Sequence, residues 1–351
     1  MGDPGRVPSG ANFERLRLSL QEKPPVKPEP GYGVAVDMGA SHLRLGLASR
    51  EGEILEEAQE RLRPENGPRG VIGQIRAAIA RLGFPEKELL GIAIGVPGAV
   101  DPHTGRVFNA NNVPGWQEVD MGRELEEAFH APVFLDNDAN MAAIGENWRG
   151  VARGIDDFVF IALGTGIGAG VFVNGRICRG RSGSAGEIFR MNVDWARWRE
   201  DFPDTGHLEA HVSGMGLAAQ GRRVLPNGSP GVSPGFADGR DARYVFHAMH
   251  QGDPLARTLV QSSFEMLGVG VANLVSVLDP EMIVFNGGIV RGAPELLLET
   301  VGTVVHEIHP QPPAIQLSTL GDKAQIWGAL HTLLEPERQP AIRASQGILR
   351  R

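Results

Sequence analysis

The segment "VFLDNDANMAAIGE", residues 133–146, sets Asp136, Asn137 and Asp138 between an apolar run and a stretch of small residues. The apolar run reads as a strand and the small residues as a helix, which puts Asp138 at a helix N-terminus beyond the carboxyl end of a strand. A carboxylate there can cap the helix. It can equally act as a general base, taking the proton from a hydroxyl as that oxygen attacks the γ-phosphate of a nucleotide. Asn137 beside it would hold a further hydroxyl.

Three glycine turns offer places for the phosphates and the base: "DMGAS" with Asp37, Gly39 and Ser41, "GTGIG" with Gly164, Thr165 and Gly166, and "NGG" with Gly287 and Gly288. Without side chains in the way, backbone N–H groups approach an anion closely, and bare backbone can lie flat against an adenine ring. Each turn alone is equally well a tight hairpin or an ordinary strand exit. Asp37 tips the reading, because a carboxylate beside a phosphate turn is costly unless a cation such as Mg²⁺ lies between them. Residues 182–214 add Glu187 near one end and Glu209 near the other, with Trp195 and Trp198 between. By spacing alone these glutamates either share one ligand or decorate a polar surface loop.

The elements that must position these groups follow from periodicity. From Gly33, "GVAVDMGASHLRLGLAS" and "EGEILEEAQERL" read as a three-stranded meander. Val71, Ile72, Ile75, Ile79 and Leu82 recur at helical spacing, "LLGIAIGVPGAV" reads as a buried strand, and a short helix at 120–129 precedes the strand "PVFLDND". At 158 the opening repeats as "FVFIALGTGIGAGVFVNGRICRG", with Gly164 in the place of Gly39, which implies two related domains facing each other. Helices are expected near 209–223 and 240–251 and through "DPLARTLVQSSFEMLGVGVANLVSVLDP", followed by strand "MIVFNGG", a helix, strand "AIQLS" and helix "AQIWGALHTLLE".

The expected division is a flexible N-terminal extension at 1–31, a smaller α/β domain of 32–138 plus 322–335, a larger one of 139–321, and a tail at 336–351, with a flexible loop at 226–240. A formal charge of −8 offers no broad basic surface, which argues against nucleic acid as a partner. No apolar run approaches a membrane span and no secretory signal is evident, so the expected setting is the cytoplasm, away from membranes. The single cysteine, Cys178, excludes an intrachain disulfide and reads as a small strand residue.

Eight stretches in order, "VAVDMGASHLRLGLAS", "GIAIGVPGAVDPHTGRV", "NNVPGW", "VFLDNDANMAAIGE", "FIALGTGIGAGVFVNG", "GSAGEI", "HLEAHVSG" and "IVFNGGIV", resemble the ROK family of repressors and sugar kinases from about residue 33 to 334. The resemblance implies the actin-like ATPase (ribonuclease H-like) fold, an α/β architecture of two duplicated domains around a central cleft. It implies that Asp138 is the catalytic base and that Gly98, Asn112, Asn137, Glu187 and Glu209 contact the sugar, so that the two glutamates do share one ligand. It further implies a homodimer or larger homo-oligomer, and ATP with Mg²⁺ as phosphate donor, polyphosphate serving some members.

Two departures from the family pattern stand out. Family kinases usually carry a histidine three residues after the first glutamate, on sugar and zinc, and a cysteine cluster completing the zinc site. Here that position is Arg190 and the loop has no cysteine, so no zinc is expected. Trp195, Trp198 and Phe202 are candidates to pack where the metal would be, whereas Glu200, Asp204, His207 and His211 read as solvated loop polarity. Arg190 either forks onto a sugar hydroxyl or acidic substituent, or pairs with a neighbouring glutamate. In the first turn, Ala40, Ser41 and His42 replace the kinases' usual glycine, threonine and lysine or asparagine and resemble the family's regulators. Two readings stay open: an ATP-dependent hexose kinase acting on glucose or a close relative, and a sugar-binding sensor with little kinase activity and no DNA-binding domain.

Overall fold

The computed structural model describes residues 31–108, 110, 113–197, 205–225 and 242–335. The expected extension before Gly31, the 226–240 loop, the tail from 336 and the site residue Asn112 lie outside the described residues, as do Trp198, Glu200, Phe202 and Asp204.

Two sheets are built to one plan. In the first, β1 (Tyr32–Met38), β2 (His42–Ser49) and β3 (Ile54–Arg61) form the expected meander, and β4 (Leu89–Val96) and β7 (Val133–Asn137) add in parallel, giving the order β3-β2-β1-β4-β7. Helix α1 (Gly67–Ala80) covers this sheet with Val71, Ile72, Ile75 and Ile79, and Leu82 stays buried just past its end. A two-residue hairpin, β5 (Val100–Asp101) with β6 (Arg106–Val107), and helix α2 (Met121–Phe129) fill the connection to β7. Helix α3 (Asp138–Arg149) follows directly.

The second sheet repeats the first: β8 (Phe158–Leu163), β9 (Ile167–Val173) and β10 (Arg176–Ile177) run antiparallel, and β11 (Met282–Asn286) and β12 (Ala314–Leu317) add in parallel, giving β10-β9-β8-β11-β12. Between β10 and β11 lie α4 (His207–Val212), α5 (Gly214–Val224), α6 (Arg243–His250) and α7 (Pro254–Leu278). Then α8 (Gly288–Gly292) and α9 (Pro294–Ile308) lead to β12, and α10 (Ala324–Leu334) closes the described chain. Helix α7 opens with Asp253 accepting from the Leu255 and Ala256 amides and with Pro254 in its first turn, and ends where Asp279 takes the left-handed φ of 45°. No helix among the described residues is long and apolar enough to cross a membrane.

The structure corrects several expectations. The helix near 209–223 is two helices, because Ser213 turns extended (ψ 168°) and its hydroxyl caps α5 through the Gly216 amide. The helix after β11 is broken ahead of Pro294, which cannot donate to the preceding turn. Cys178 is no strand residue: it lies one residue past β10 and is exposed.

Helices α3 and α10 join the two halves. Helix α3 follows the edge of the first sheet yet packs on β9 and β8 of the second, whereas α10 follows the edge of the second and packs on β1 and β4 of the first. A core of Met141, Ala143, Ile144, Phe158, Phe160, Ala329 and Leu330 lies between them. They touch backbone to backbone: a Cβ at Gly145 would fall onto the Ala324 carbonyl, and one at Gly328 onto the Met141 carbonyl. Substituting Gly328→Ala should therefore cost more than about 3 kcal/mol in urea unfolding, since neither carbonyl can retreat. Gly302→Ala, in α9 with nothing within 4 Å of the added methyl, should instead stabilise by about 0.5–1 kcal/mol.

Candidate active site

Cross-strand partners share a sheet face, and one such row runs Arg44, Asp37, Gly95, Asp136 across β2, β1, β4 and β7. Asp37 is fully buried. Its Oδ2 accepts from Arg44 Nη1 at 3.0 Å, and the Gln325 amide nitrogen, turned inward, donates to Oδ1 and Oδ2 at 2.8 and 2.7 Å. Burial pushes the Asp37 carboxyl up to about 6, against the downward pull of Arg44. Gly95 is the bare position in the row, where a Cβ would make ordinary contacts of 3.4–3.5 Å with Met141 and Asp138 Cα.

Asp136 is the second buried carboxylate. Its Oδ1 accepts from the Asn137 amide (2.8 Å) and Asn140 Nδ2 (2.9 Å), while Oδ2 accepts from Arg179 Nε (2.9 Å) and Nη2 (2.8 Å). The Arg179 side chain is itself only 9% exposed. This charge pair ties the end of β7 to the segment after β10.

Asp138 is not the helix cap. Asn137 is: its Oδ1 accepts from the Ala139 amide (2.9 Å) and the Asn140 amide (3.3 Å), and its Nδ2 donates to the Gly98 carbonyl (3.1 Å). That brings Gly98 and Asn137 together at the head of α3. Asp138 Oδ1 accepts from the Ala139 amide at 2.8 Å. Its carboxyl is pushed up to about 7, first by burial, then by the negative charge of Asp37 and, more weakly, of Glu187.

Glu187 opens a single 3-10 turn, Ile188–Arg190, and Glu209 lies on α4. Both are half-buried. Burial raises each carboxyl, Arg190 offsets part of the rise at Glu187, and the Glu209 charge adds to it. The two glutamates thus lie within each other's field, and Glu187 also acts on Asp138. Arg190 is exposed, with its guanidinium 4.9 Å from the Phe189 ring, and its charge acts on Glu187. Of the aromatics expected in the place of zinc, Trp195 is 86% exposed on an outward 3-10 turn and fills nothing. His207 is buried on α4 rather than solvated, its ring 5.0 Å from that of His211. No group of three potential metal ligands occurs among the described residues.

The glycine turns meet around a cavity of about 260 Å³ lined by Gly39, Ser41, Gly164, Thr165, Gly287 and Gly288. The first turn closes through the Gly39 amide on the His42 carbonyl, the second through the Gly164 amide on the Gly166 carbonyl, each at 2.9 Å. Gly287 takes a φ of 123° against the Leu163 backbone, where any side chain would collide. Two expected members stand back from the wall. Gly166 borders Glu209 instead, and Asp37 lies behind Arg44, which lines the cavity with Gln325 and Asp322. Asp322 is shared at the rim by Arg44 Nη2 (3.4 Å) and Arg291 Nη1 (3.2 Å). Both Asp37 oxygens accept hydrogen bonds, from Arg44 and Gln325, and the cation that the structure sets beside this carboxylate is the Arg44 guanidinium.

Sequence reasoning missed Arg44, Asn140, Arg179, Asp322 and Gln325, and named Asp136 without giving it a role. Arg44 had a signal, since Asp37 and Arg44 stand symmetrically about the 39–42 turn and must pair in a hairpin. The pairing of Asp136 with Arg179 had none.

Known proteins supply the context for this geometry. Residues 33–335 match the ROK family. The chain belongs to the ROK family. It is 32% identical to a glucokinase of Thermotoga maritima over 312 residues, covering 86% of this chain and 97% of the relative. It is 27% identical to a xylose repressor of Caldicellulosiruptor bescii over 315 residues, covering 87% of this chain and 78% of the repressor. Among solved structures, a ROK family glucokinase from Streptomyces griseus in complex with glucose and AMPPNP superposes with a TM-score of 0.72 at 29% identity, covering 86% of this chain and 98% of the other. The two repeated sheets are accordingly those of the actin-like ATPase fold.

Replacing Arg179 by Met would strand the Asp136 charge in the interior. The expected loss is about 3–5 kcal/mol, read as a lower urea midpoint. An unchanged midpoint would show that the pair does not hold the head of α3.

Proposed function

We propose that this ROK chain is a sugar kinase that transfers the γ-phosphate of ATP to a hexose hydroxyl, with glucose at O6 as the first substrate to test and Asp138 as general base. The observation that carries the reading is the head of α3. Asn137 takes over the capping, so that Asp138 is left with a buried carboxylate near neutral pKa, within the fields of Asp37 and Glu187. In the forward step the sugar oxygen forms a bond to the γ-phosphorus, the bond from that phosphorus to the β–γ bridging oxygen breaks, and the hydroxyl proton passes to Asp138. Gly98, Asn112, Asn137, Glu187, Arg190 and Glu209 hold the sugar; the amides of the glycine turns and the Arg44 charge hold the nucleotide. Mg²⁺ arriving with ATP would neutralise phosphate charge. The two domains are those divided at 138/139 and 321/322, the protein works in the cytoplasm, and it assembles as a homo-oligomer.

A second reading, a sugar sensor, draws on the similarity to repressors and on the Ala40-Ser41-His42 turn. ADP release coupled to a spectrophotometric assay, with ATP, Mg²⁺ and a panel of glucose, mannose, fructose, N-acetylglucosamine, N-acetylmannosamine and gluconate, separates the two. Turnover with one sugar is expected. Silence across the panel, with sugar binding retained in calorimetry, would favour the sensor.

Asp138→Asn should lower kcat by roughly 10²–10⁴-fold while sugar still binds. The pH dependence has a definite sign. Asp138 must be ionised to accept the proton, so kcat/KM should hold level above about 7 and fall tenfold per unit below it. Asp37→Asn removes a like charge that raises the Asp138 carboxyl, so its acid limb should move to lower pH. A limb that stays in place would remove Asp37 from the electrostatics of the base.

A further inference from the structure

Glu209 is bonded to the second phosphate turn as well as facing Glu187. Its Oε2 accepts from the Ile167 amide at 2.9 Å, immediately after that turn. A Cβ at Gly166 would lie 2.5 Å from the same oxygen, so a glycine is needed for the carboxylate to reach the backbone. The segment after α4 adds two more bonds: the Gly214 amide donates to the Gly164 carbonyl (2.8 Å) and the Met215 amide to the Thr165 carbonyl (3.1 Å). Ser213, fully buried, anchors this segment, its own amide donating to the Glu209 carbonyl at 3.1 Å. Turn, α4 and the head of α5 therefore form one hydrogen-bonded block. Glu209 Oε1 makes no hydrogen bond among the described residues, and the amides of Thr165 and Gly166 make none either.

We infer that Glu209 is the connector between the two ligands: Oε1 receives a sugar hydroxyl while Oε2 fixes the turn whose free amides receive the nucleotide phosphates. This rests on the sugar-kinase reading above. A sugar hydroxyl donating between Glu187 and Glu209 relieves the repulsion of two half-buried like charges, which otherwise acts to push Glu209 off the turn. Sugar occupancy then orders the turn, and by reciprocity the nucleotide tightens the sugar by the same factor.

The test is calorimetric titration of AMPPNP with Mg²⁺ into the full chain, with and without saturating glucose, and of glucose with and without AMPPNP. The expected result is mutual tightening of about fivefold or more. In Glu209→Ala, saturated at higher glucose, the factor should fall to about one, and Glu209→Gln should not restore it, because with its one oxygen on the Ile167 amide its NH2 group stands where Oε1 received the sugar hydroxyl. Gly166→Ala, which leaves the carboxylate in place but pushes it from the turn, should also bring the factor to about one and serves if Glu209→Ala does not fold. Binding of both ligands with a factor of one in the unaltered chain, or an unchanged factor in both Glu209→Ala and Gly166→Ala, overturns the connector while leaving the kinase reading intact. No binding of AMPPNP with or without glucose overturns both.

Discussion

Everything at the cleft depends on how closely α3 and α10 can approach. Gly145 faces the Ala324 carbonyl and Gly328 the Met141 carbonyl, so the helices meet over bare backbone with no side chain between them. Each helix leaves one sheet and covers the other, which makes this contact the joint between two otherwise separate cores. The joint also sets the two helix heads. Asp138 opens α3 within the field of the Asp37 charge, and Gln325, in the first turn of α10, hydrogen-bonds to Asp37. A wider crossing would pull the Gln325 amide from Asp37 and remove two hydrogen bonds that stabilise its ionised form.

Charge is distributed over this frame unevenly. Asp37 is matched by Arg44 and Asp136 by Arg179, each a buried carboxylate with its own guanidinium. Asp138 has no such partner in its field and two carboxylates that oppose its ionisation. The Asp136–Arg179 pair holds the strand end and the cap in register, and the Asp37–Arg44 pair sets the guanidinium at the wall of the phosphate cavity. The unmatched one is free to change protonation near neutrality, and a local violation of charge pairing of this kind is what a reacting group requires.

The sequence made the strands, the repeat and most of the site legible because these are local patterns: alternation, helical spacing, glycine turns and short motifs in order. What it hid was set at a distance or by one residue of phase. Arg179 reaches Asp136 across 43 positions of chain, and no spacing rule connects them. Whether Asn137 or Asp138 caps α3 depends on a single residue's dihedral, extended at Asn137 with ψ 144°, and composition cannot choose between two good capping residues. The break at Ser213 was invisible for the same reason, since serine is acceptable inside a helix until its neighbours bond elsewhere. Trp195 failed in the other direction: an aromatic was assumed to be buried, yet its 3-10 turn faces outward.

The duplication clarifies why the halves are not interchangeable. Position for position from the glycine turns, Asp37 and Arg44 correspond to Ala162 and Gly168, which pair across β8 and β9 as the former do across β1 and β2. The charged pair behind the first turn is thus replaced by small residues behind the second. Small residues there admit α3, whose Ala139 and Ala143 press against Gly168 and Gly170. A buried aspartate–arginine pair at this place would hold α3 off the second sheet, and with it Asp138. The second turn must therefore be braced from outside its own hairpin, and α4 with the Ser213 segment provides that brace. One repeat holds its phosphate turn by charge within the sheet and the other by hydrogen bonds from beyond it, and only the second arrangement leaves a path from a sugar-facing carboxylate to the turn.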